Sequence, residues 1–460
     1  MSPPNFKSKY TLRKVSEELR SEKLAVEQLV REELANIESY GGYNAFVTTF
    51  DLDSEIISRN VSKAKSHFGN GSKRSSESAL LGIPFTIKDN VFVAGYRTTA
   101  GCVAFKDFIP NVNGDAFDLF YSKGAVPLGK TNLHELALGP TCSASFFGPV
   151  RNSADFTRVA GGSSGGSAVS VAKAKYAIAT IGSDTGGSVR IPAALCGICG
   201  MKPTFGTISS FGVFPLSGTL DTVGILARTM DDLKFVFSNL LPEKFSPNRP
   251  KRKGKKKSRI GIPGKRYFDE ADKTVLKAFW KVIEKIREEF EIVEGVSIPD
   301  EDKIARVRRS IMLREGAWFY SEVLANPMYR EKMDLDVLAP LDAGGKMGIV
   351  EGMQAESFRQ TFTSKMFGVF QDVDFVATPT CLIEAPKLED MLNRTEYARQ
   401  RPLLIRNPEV WNLCRFPALT LPSNRLDGGS LPTGFQLAGK FANDSGLLEA
   451  GVSVWNLVHS

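Results

Sequence analysis

Histidine is nearly absent from this chain, with three residues in 460, His67, His134 and His459. The side chain most used as a general base and as a zinc ligand is therefore scarce. Cysteine is sparse as well. The six present (Cys102, Cys142, Cys196, Cys199, Cys381, Cys414) are too few for a disulfide framework at this length and favour a reducing compartment. No run of eighteen apolar residues occurs, so no segment reads as a membrane-spanning helix. Acidic residues are missing from 249–259, where eight basic residues crowd together; outside that stretch 51 of the 59 Lys and Arg face 51 Asp and Glu. The whole net charge of +8 thus sits in one segment. It reads either as a solvated linker within a basic loop over 243–259 or as a contact to an RNA backbone. The first sixteen residues hold Lys7, Lys9, Arg13 and Lys14 and no acid, which resembles a brief organellar leader.

What the chain does have is a 42% hydrophobic share and length enough for a large core. Residues 11–38 carry apolar side chains at helical intervals, as do 51–67, 115–123, 168–175, 273–290 and 351–372. Strands are expected at 44–48, 83–87, 125–128, 178–181, 260–262, 373–378 and 418–421, and a Ser/Gly-rich loop at 70–78. Strands alternating with helices predict an α/β fold, with a mixed, mostly parallel twisted sheet covered by helices on both faces. A single domain over 1–460 is expected, with an N-terminal helical region (11–67), a central core (80–230) and a C-terminal part (260–460) that completes the sheet and the substrate pocket.

Three pattern matches lead nowhere. Residues 124–131, Gly-Ala-Val-Pro-Leu-Gly-Lys-Thr, fit the P-loop expression, yet a P-loop follows a strand and opens a helix, whereas this stretch contains the strand itself. Gly161-Gly-Ser163-Ser-Gly165 fits the nucleophile elbow of the hydrolases. It lacks a strand before it, and the only later histidine is His459, next to the terminus. Cys196-Gly-Ile-Cys199 is a single Cys-x-x-Cys without histidines to complete a tetrahedral site, so no metal is expected.

Two glycine-framed serine clusters remain: Gly161-Gly-Ser163-Ser164-Gly-Gly-Ser167, and Gly182-Ser-Asp184-Thr185-Gly186-Gly187-Ser188-Val-Arg190. A serine in such a loop can present its hydroxyl beside open backbone N–H groups, as acyl transfer requires. Something must deprotonate it. Lys88, leaving the apolar strand Ile83–Ile87, can do so if burial lowers its pKa.

Together, Gly82-Ile-Pro-Phe-Thr-Ile-Lys88-Asp-Asn and the two serine clusters resemble the amidase signature family. Asn44-Ala-Phe-Val-Thr, Met201-Lys-Pro-Thr-Phe-Gly, Leu220-Asp-Thr-Val-Gly and Pro432-Thr-Gly-Phe-Gln-Leu-Ala-Gly are similar to its glutaminase branch, the A subunits of tRNA-dependent amidotransferases. The resemblance implies a Lys–Ser–Ser triad: Ser188 as acyl nucleophile, Ser163 as a bridging serine held by a cis peptide bond, and Lys88 as base. It implies an oxyanion hole from the N–H groups of Thr185, Gly186, Gly187 and Ser188, with Ser164, Asp184 and Arg190 in support. Glutamine would be hydrolysed through a glutamyl ester. Ammonia would pass to a B-type partner subunit that uses ATP and Mg to convert Glu-tRNA(Gln) to Gln-tRNA(Gln), with a small third subunit, in mitochondria; this chain would need no cofactor. A stand-alone amidase for small or fatty amides is the alternative, and a non-catalytic scaffold a third reading.

The sequence departs from the bacterial pattern in two places. Ser163 and Ser188 stand one residue further apart, with the extra residue near Lys173–Tyr176. No acid occurs in Leu403–Asn407, where an aspartate would hold the substrate's amino group, and no arginine for its carboxylate can be placed.

Overall fold

The computed structural model describes residues 10–68, 78–245, 257–423 and 431–459. The leader-like residues 1–9, most of the 70–78 loop and most of the basic 249–259 segment lie outside them.

Eleven strands form one sheet in the order β1-β3-β2-β4-β6-β5-β10-β11-β9-β7-β8. They are β1 (Phe46–Thr49), β2 (Pro84–Lys88), β3 (Val126–Thr131), β4 (Ala179–Asp184), β5 (Cys199–Lys202), β6 (Thr222–Ala227), β7 (Ser258–Pro263), β8 (Phe290–Val296), β9 (Phe375–Pro379), β10 (Ala418–Pro422) and β11 (Gly434–Gly439). The sheet is mixed, as expected, but not mostly parallel: six neighbouring pairs are antiparallel and four parallel. Connectivity accounts for one of the antiparallel pairs: β5 returns to β6 with no helix between them, and a direct return produces antiparallel neighbours, whereas parallel ones need a crossover.

Helices cover both faces. Successive strand residues point to opposite sides. Leu419 meets the Asp444–His459 helix at Gly451, whereas Thr420 lies on the side of the Arg190–Cys196 helix, near Gly434 and Ala194. No described helix is long and apolar enough to cross a membrane. The main core runs along the sheet from the N-terminal helices to β7–β11 and the Asp444–His459 helix, with Leu29, Phe85, Ile181, Phe279, Leu437 and Val454 among its members. A second cluster packs among the Ile304–Phe319, Leu335–Gly345 and Ile349–Asp372 helices and the neighbouring strand ends.

The segment 11–38 is two helices, Leu12–Arg20 and Val26–Ser39, divided at Ser21–Ala25. Thr11 caps the first by accepting the Lys14 N–H on its hydroxyl. Third in the sheet order, β2 is buried at every position and pairs in parallel with both β3 and β4. Burial on both faces explains its unbroken apolar run. Both strands end on the same sheet edge, so the chain leaving Lys88 and the chain leaving Asp184 emerge side by side. Open α/β sheets place their ligand sites at that edge.

Candidate active site

The Gly161–Ser167 cluster turns directly into the Gly165–Lys173 helix, which packs on β2 and β4 and returns the chain to β4. Lys173–Tyr176, where the extra residue was expected, lies at the far end of that helix. Gly162 allows the turn. A Cβ there would stand 2.7 Å from the Gly139 carbonyl oxygen and within 2.9 Å of the Thr141 and Cys142 nitrogens. The Gly162–Ser163 peptide bond is cis.

Lys88 is fully buried, and its Nζ lies 2.7 Å from Ser163 Oγ and 2.8 Å from Ser183 Oγ. Burial pushes the lysine down to about 7, against smaller upward pulls from Cys142, Asp184 and Asp221. Near neutrality a large fraction is therefore free amine. In that form its two N–H groups can donate to the Ser183 hydroxyl and carbonyl, and its lone pair can accept the Ser163 hydroxyl proton. Asn90 Nδ2 also donates to Ser183 Oγ at 3.1 Å, which fixes that hydroxyl as an acceptor.

The second cluster is built around Asp184. Oδ1 accepts the Gly187 N–H at 2.8 Å, and Oδ2 accepts the Val189 N–H at 3.1 Å. Arg190 spends all five guanidinium N–H bonds: two on Asp184, one each on the Pro408 carbonyl, the Gln436 side chain and Asn412 Oδ1. Burial alone raises Asp184, but the charge and hydrogen bonds of Arg190, with help from Asn412, hold it well below the usual carboxylate range. The expected bracing roles of Asp184 and Arg190 have this geometry.

Lys88 and Ser163 have no exposed surface, whereas Ser188 keeps 8% of its own. Its carbonyl accepts the Ser164 N–H at 3.1 Å, while Ser164 Oγ donates to the Ser183 carbonyl, so the two clusters are joined beside both serines. The N–H groups of Thr185, Gly186 and Ser188 find no partner among the described residues. Gly187 is a correction: its N–H is committed to Asp184 and is not open to a ligand. A carboxylate two bonds from the backbone, already locked by Arg190, claims that donor.

The three pattern matches take structural places. Residues 126–131 are β3, buried between β1 and β2. Lys130 Nζ is occupied by Asp89, Thr98 and the Val91 carbonyl. His459 lies in the C-terminal helix, stacked on Trp455. Cys196 is buried with its thiol directed at the Ala160 carbonyl, and burial raises it to about 11.

Three residues were missed. Ser183 is legible only once β4 is paired with β2, which brings it to Lys88. Arg308 and Glu409 are the others. Arg308 Nη1 lies 2.9 Å from where a Cβ on Gly186 would stand, and Nε donates to Glu409 Oε2 at 2.7 Å. Both side chains are almost entirely buried. The acid-free segment Leu403–Ile405 packs as core against Ile191, Leu195 and Leu382, and Asn407 Nδ2 is taken by the Tyr267 and Pro379 carbonyls.

Known proteins are similar to this chain in sequence and in architecture. The mitochondrial A subunit of glutamyl-tRNA(Gln) amidotransferase from Anopheles gambiae is 32% identical over 95% of both chains. The corresponding A subunit of Saccharolobus solfataricus is 29% identical, over 93% of this chain and 92% of its own. Among solved structures, one described as an amidase superposes with a TM-score of 0.82 at 28% identity, covering 96% of this chain and 98% of that one. The A subunit of the Thermotoga maritima glutamyl-tRNA(Gln) amidotransferase gives 0.74 at 25% identity, over 97% and 94%. The Amidase family model matches residues 28–448, a span that holds Lys88, both serine clusters and every strand of the sheet, and the chain belongs to that family.

Proposed function

We propose that this chain is the glutamine-hydrolysing A subunit of a tRNA-dependent amidotransferase. The observation that carries the chemistry is the contact between Lys88 and Ser163, an amine buried enough to be a base near neutrality and 2.7 Å from a hydroxyl. Neutral Lys88 takes the Ser163 proton as Ser163 takes the proton of Ser188. Ser188 Oγ then attacks the side-chain amide carbon of glutamine. The oxyanion is received by the open N–H groups of Thr185, Gly186 and Ser188; one such donor is typically worth ~10²–10³ in rate. Return of the proton through Ser163 releases ammonia and leaves a glutamyl–Ser188 ester. Water attacks the ester by the same relay and frees glutamate.

Glutamine carries a carboxylate and an ammonium, and a site selective for it must present both charges. The Arg308–Glu409 pair beside Gly186 supports that selectivity, with Arg308 facing the carboxylate and Glu409 standing in for the acid missing from 403–407. Ammonia then serves a B-type partner, joined by a small third subunit, where ATP and Mg would convert Glu-tRNA(Gln) to Gln-tRNA(Gln). The mitochondrial relative supports a mitochondrial site of action.

The test is a Ser188→Ala complex, which should form Gln-tRNA(Gln) from ammonium but not from glutamine. Normal use of glutamine by that variant would remove Ser188 as nucleophile. A stand-alone amidase is the second reading, favoured by the likeness to a solved amidase. It requires a chain that purifies alone and turns over simple amides.

A further inference from the structure

The Ile304–Phe319 helix approaches the second serine cluster at two points. Arg308 touches it directly at Gly186. Glu315, seven residues and about two turns further along the same face, reaches it indirectly. One Glu315 oxygen accepts the Ser217 hydroxyl at 2.6 Å and the Thr219 N–H at 3.1 Å; the other accepts the Thr219 hydroxyl at 2.7 Å. The turn so gripped is closed on itself, with the Leu220 and Asp221 N–H groups both donating to the Ser217 carbonyl. Arg415 holds its other side through the Thr219 carbonyl. Leu216 and Ser217 N–H then fix Asp221 Oδ2 at 2.8 and 2.9 Å, and Asp221 Oδ1 accepts the Thr185 hydroxyl at 2.5 Å. Thr185 is the first open donor of the oxyanion loop.

We propose that Glu315 is a positioning residue for the oxyanion hole, acting through the 216–221 turn and Asp221 on Thr185. This rests on the reading of Ser188 as nucleophile given above. An oxyanion donor works by being in place before charge develops, so whatever fixes its direction contributes to rate and not to substrate affinity. Glu315 is only partly buried. On its removal water can satisfy Ser217 and Thr219, so the fold loses little while the turn loses its register.

The experiment is a double-mutant cycle on the assembled complex, using Glu315→Ala, Thr185→Val and both together, read as kcat and KM for glutamine with a melting curve for each. Glu315→Ala should lower kcat roughly tenfold to a hundredfold, less than deletion of a donor outright, with KM within about twofold. In the Thr185→Val background the same change should have almost no further effect, because both act on one donor. Glu315→Gln, which keeps an acceptor oxygen, should recover part of the loss. Full additivity, or a kcat loss that tracks loss of folded protein, would overturn the proposal. Wild-type protein inactive on glutamine but active on simple amides would instead overturn the glutamine reading, and the cycle would then be run on the amide.

Discussion

Lys88 and Ser163 meet at 2.7 Å across 75 residues of sequence, with both side chains fully buried. The contact exists because β2 and the Gly165–Lys173 helix are packed together, and it sets the pH behaviour of the site. Lysine is a base only when neutral, and burial brings it down to about 7. Glutaminase kcat should therefore rise with pH through about 7 and fall about tenfold per unit well below it. Lys88→Arg keeps the charge at every accessible pH and should be inactive throughout. A flat wild-type profile between pH 5 and 8 would contradict the assignment.

Arg190→Met should destabilise the protein by about 3–5 kcal/mol, since it strands a buried Asp184 carboxylate that among the described residues has Arg190 as its ion-pair partner. Urea unfolding of the purified protein would measure it. Lysine at this position cannot reproduce the five-donor fork and should recover only part of the loss.

Gly162→Ala is expected to abolish activity, because the added methyl would lie against backbone atoms of Gly139, Thr141 and Cys142, none of which can rotate away. Overpacking of this kind costs about 1–3 kcal/mol, so soluble folded protein should still be recovered, with Ser163 displaced. A rate within tenfold of wild type would show that the loop can absorb the methyl.

Arg308→Gln should raise KM for glutamine at least tenfold while leaving hydrolysis of a neutral amide or ester much less affected. The substitution removes the charge but keeps side-chain hydrogen bonding. Equal losses on both substrates would assign Arg308 to bracing of Gly186 rather than to selection.

Neutralising the lysines within 249–259 tests a separate matter. Should that segment meet tRNA, the salt dependence of tRNA binding would flatten, with glutaminase activity unchanged. Unaltered affinity would return it to a linker.

The parts that were legible in sequence are those where chemistry and periodicity agree. β2 reads as a strand because every one of its positions is buried, and Lys88 stands out as the charged residue ending it. The Ile304–Phe319 helix went unread for the opposite reason. Arg308 lies on its buried face and Glu315 is only partly exposed, so polar residues interrupt the apolar stripe that marks a helix. Ser183 was hidden because its contact depends on strand register, and Gly187 was miscounted as a donor because nothing in a motif says which N–H a neighbouring carboxylate will claim.

The guanidinium of Arg190 also sets an order of events during synthesis. Its partners Asn412 and Gln436 lie 222 and 246 residues downstream, so a ribosome has made the nucleophile loop long before the groups that complete it. At about 5–20 residues per second, that interval lasts on the order of ten seconds or more. A nascent or prematurely ended chain holds Lys88, Ser163 and Ser188 without the bracing of the loop. A truncation before Asn412 removes both of these partners and should be catalytically silent toward glutamine.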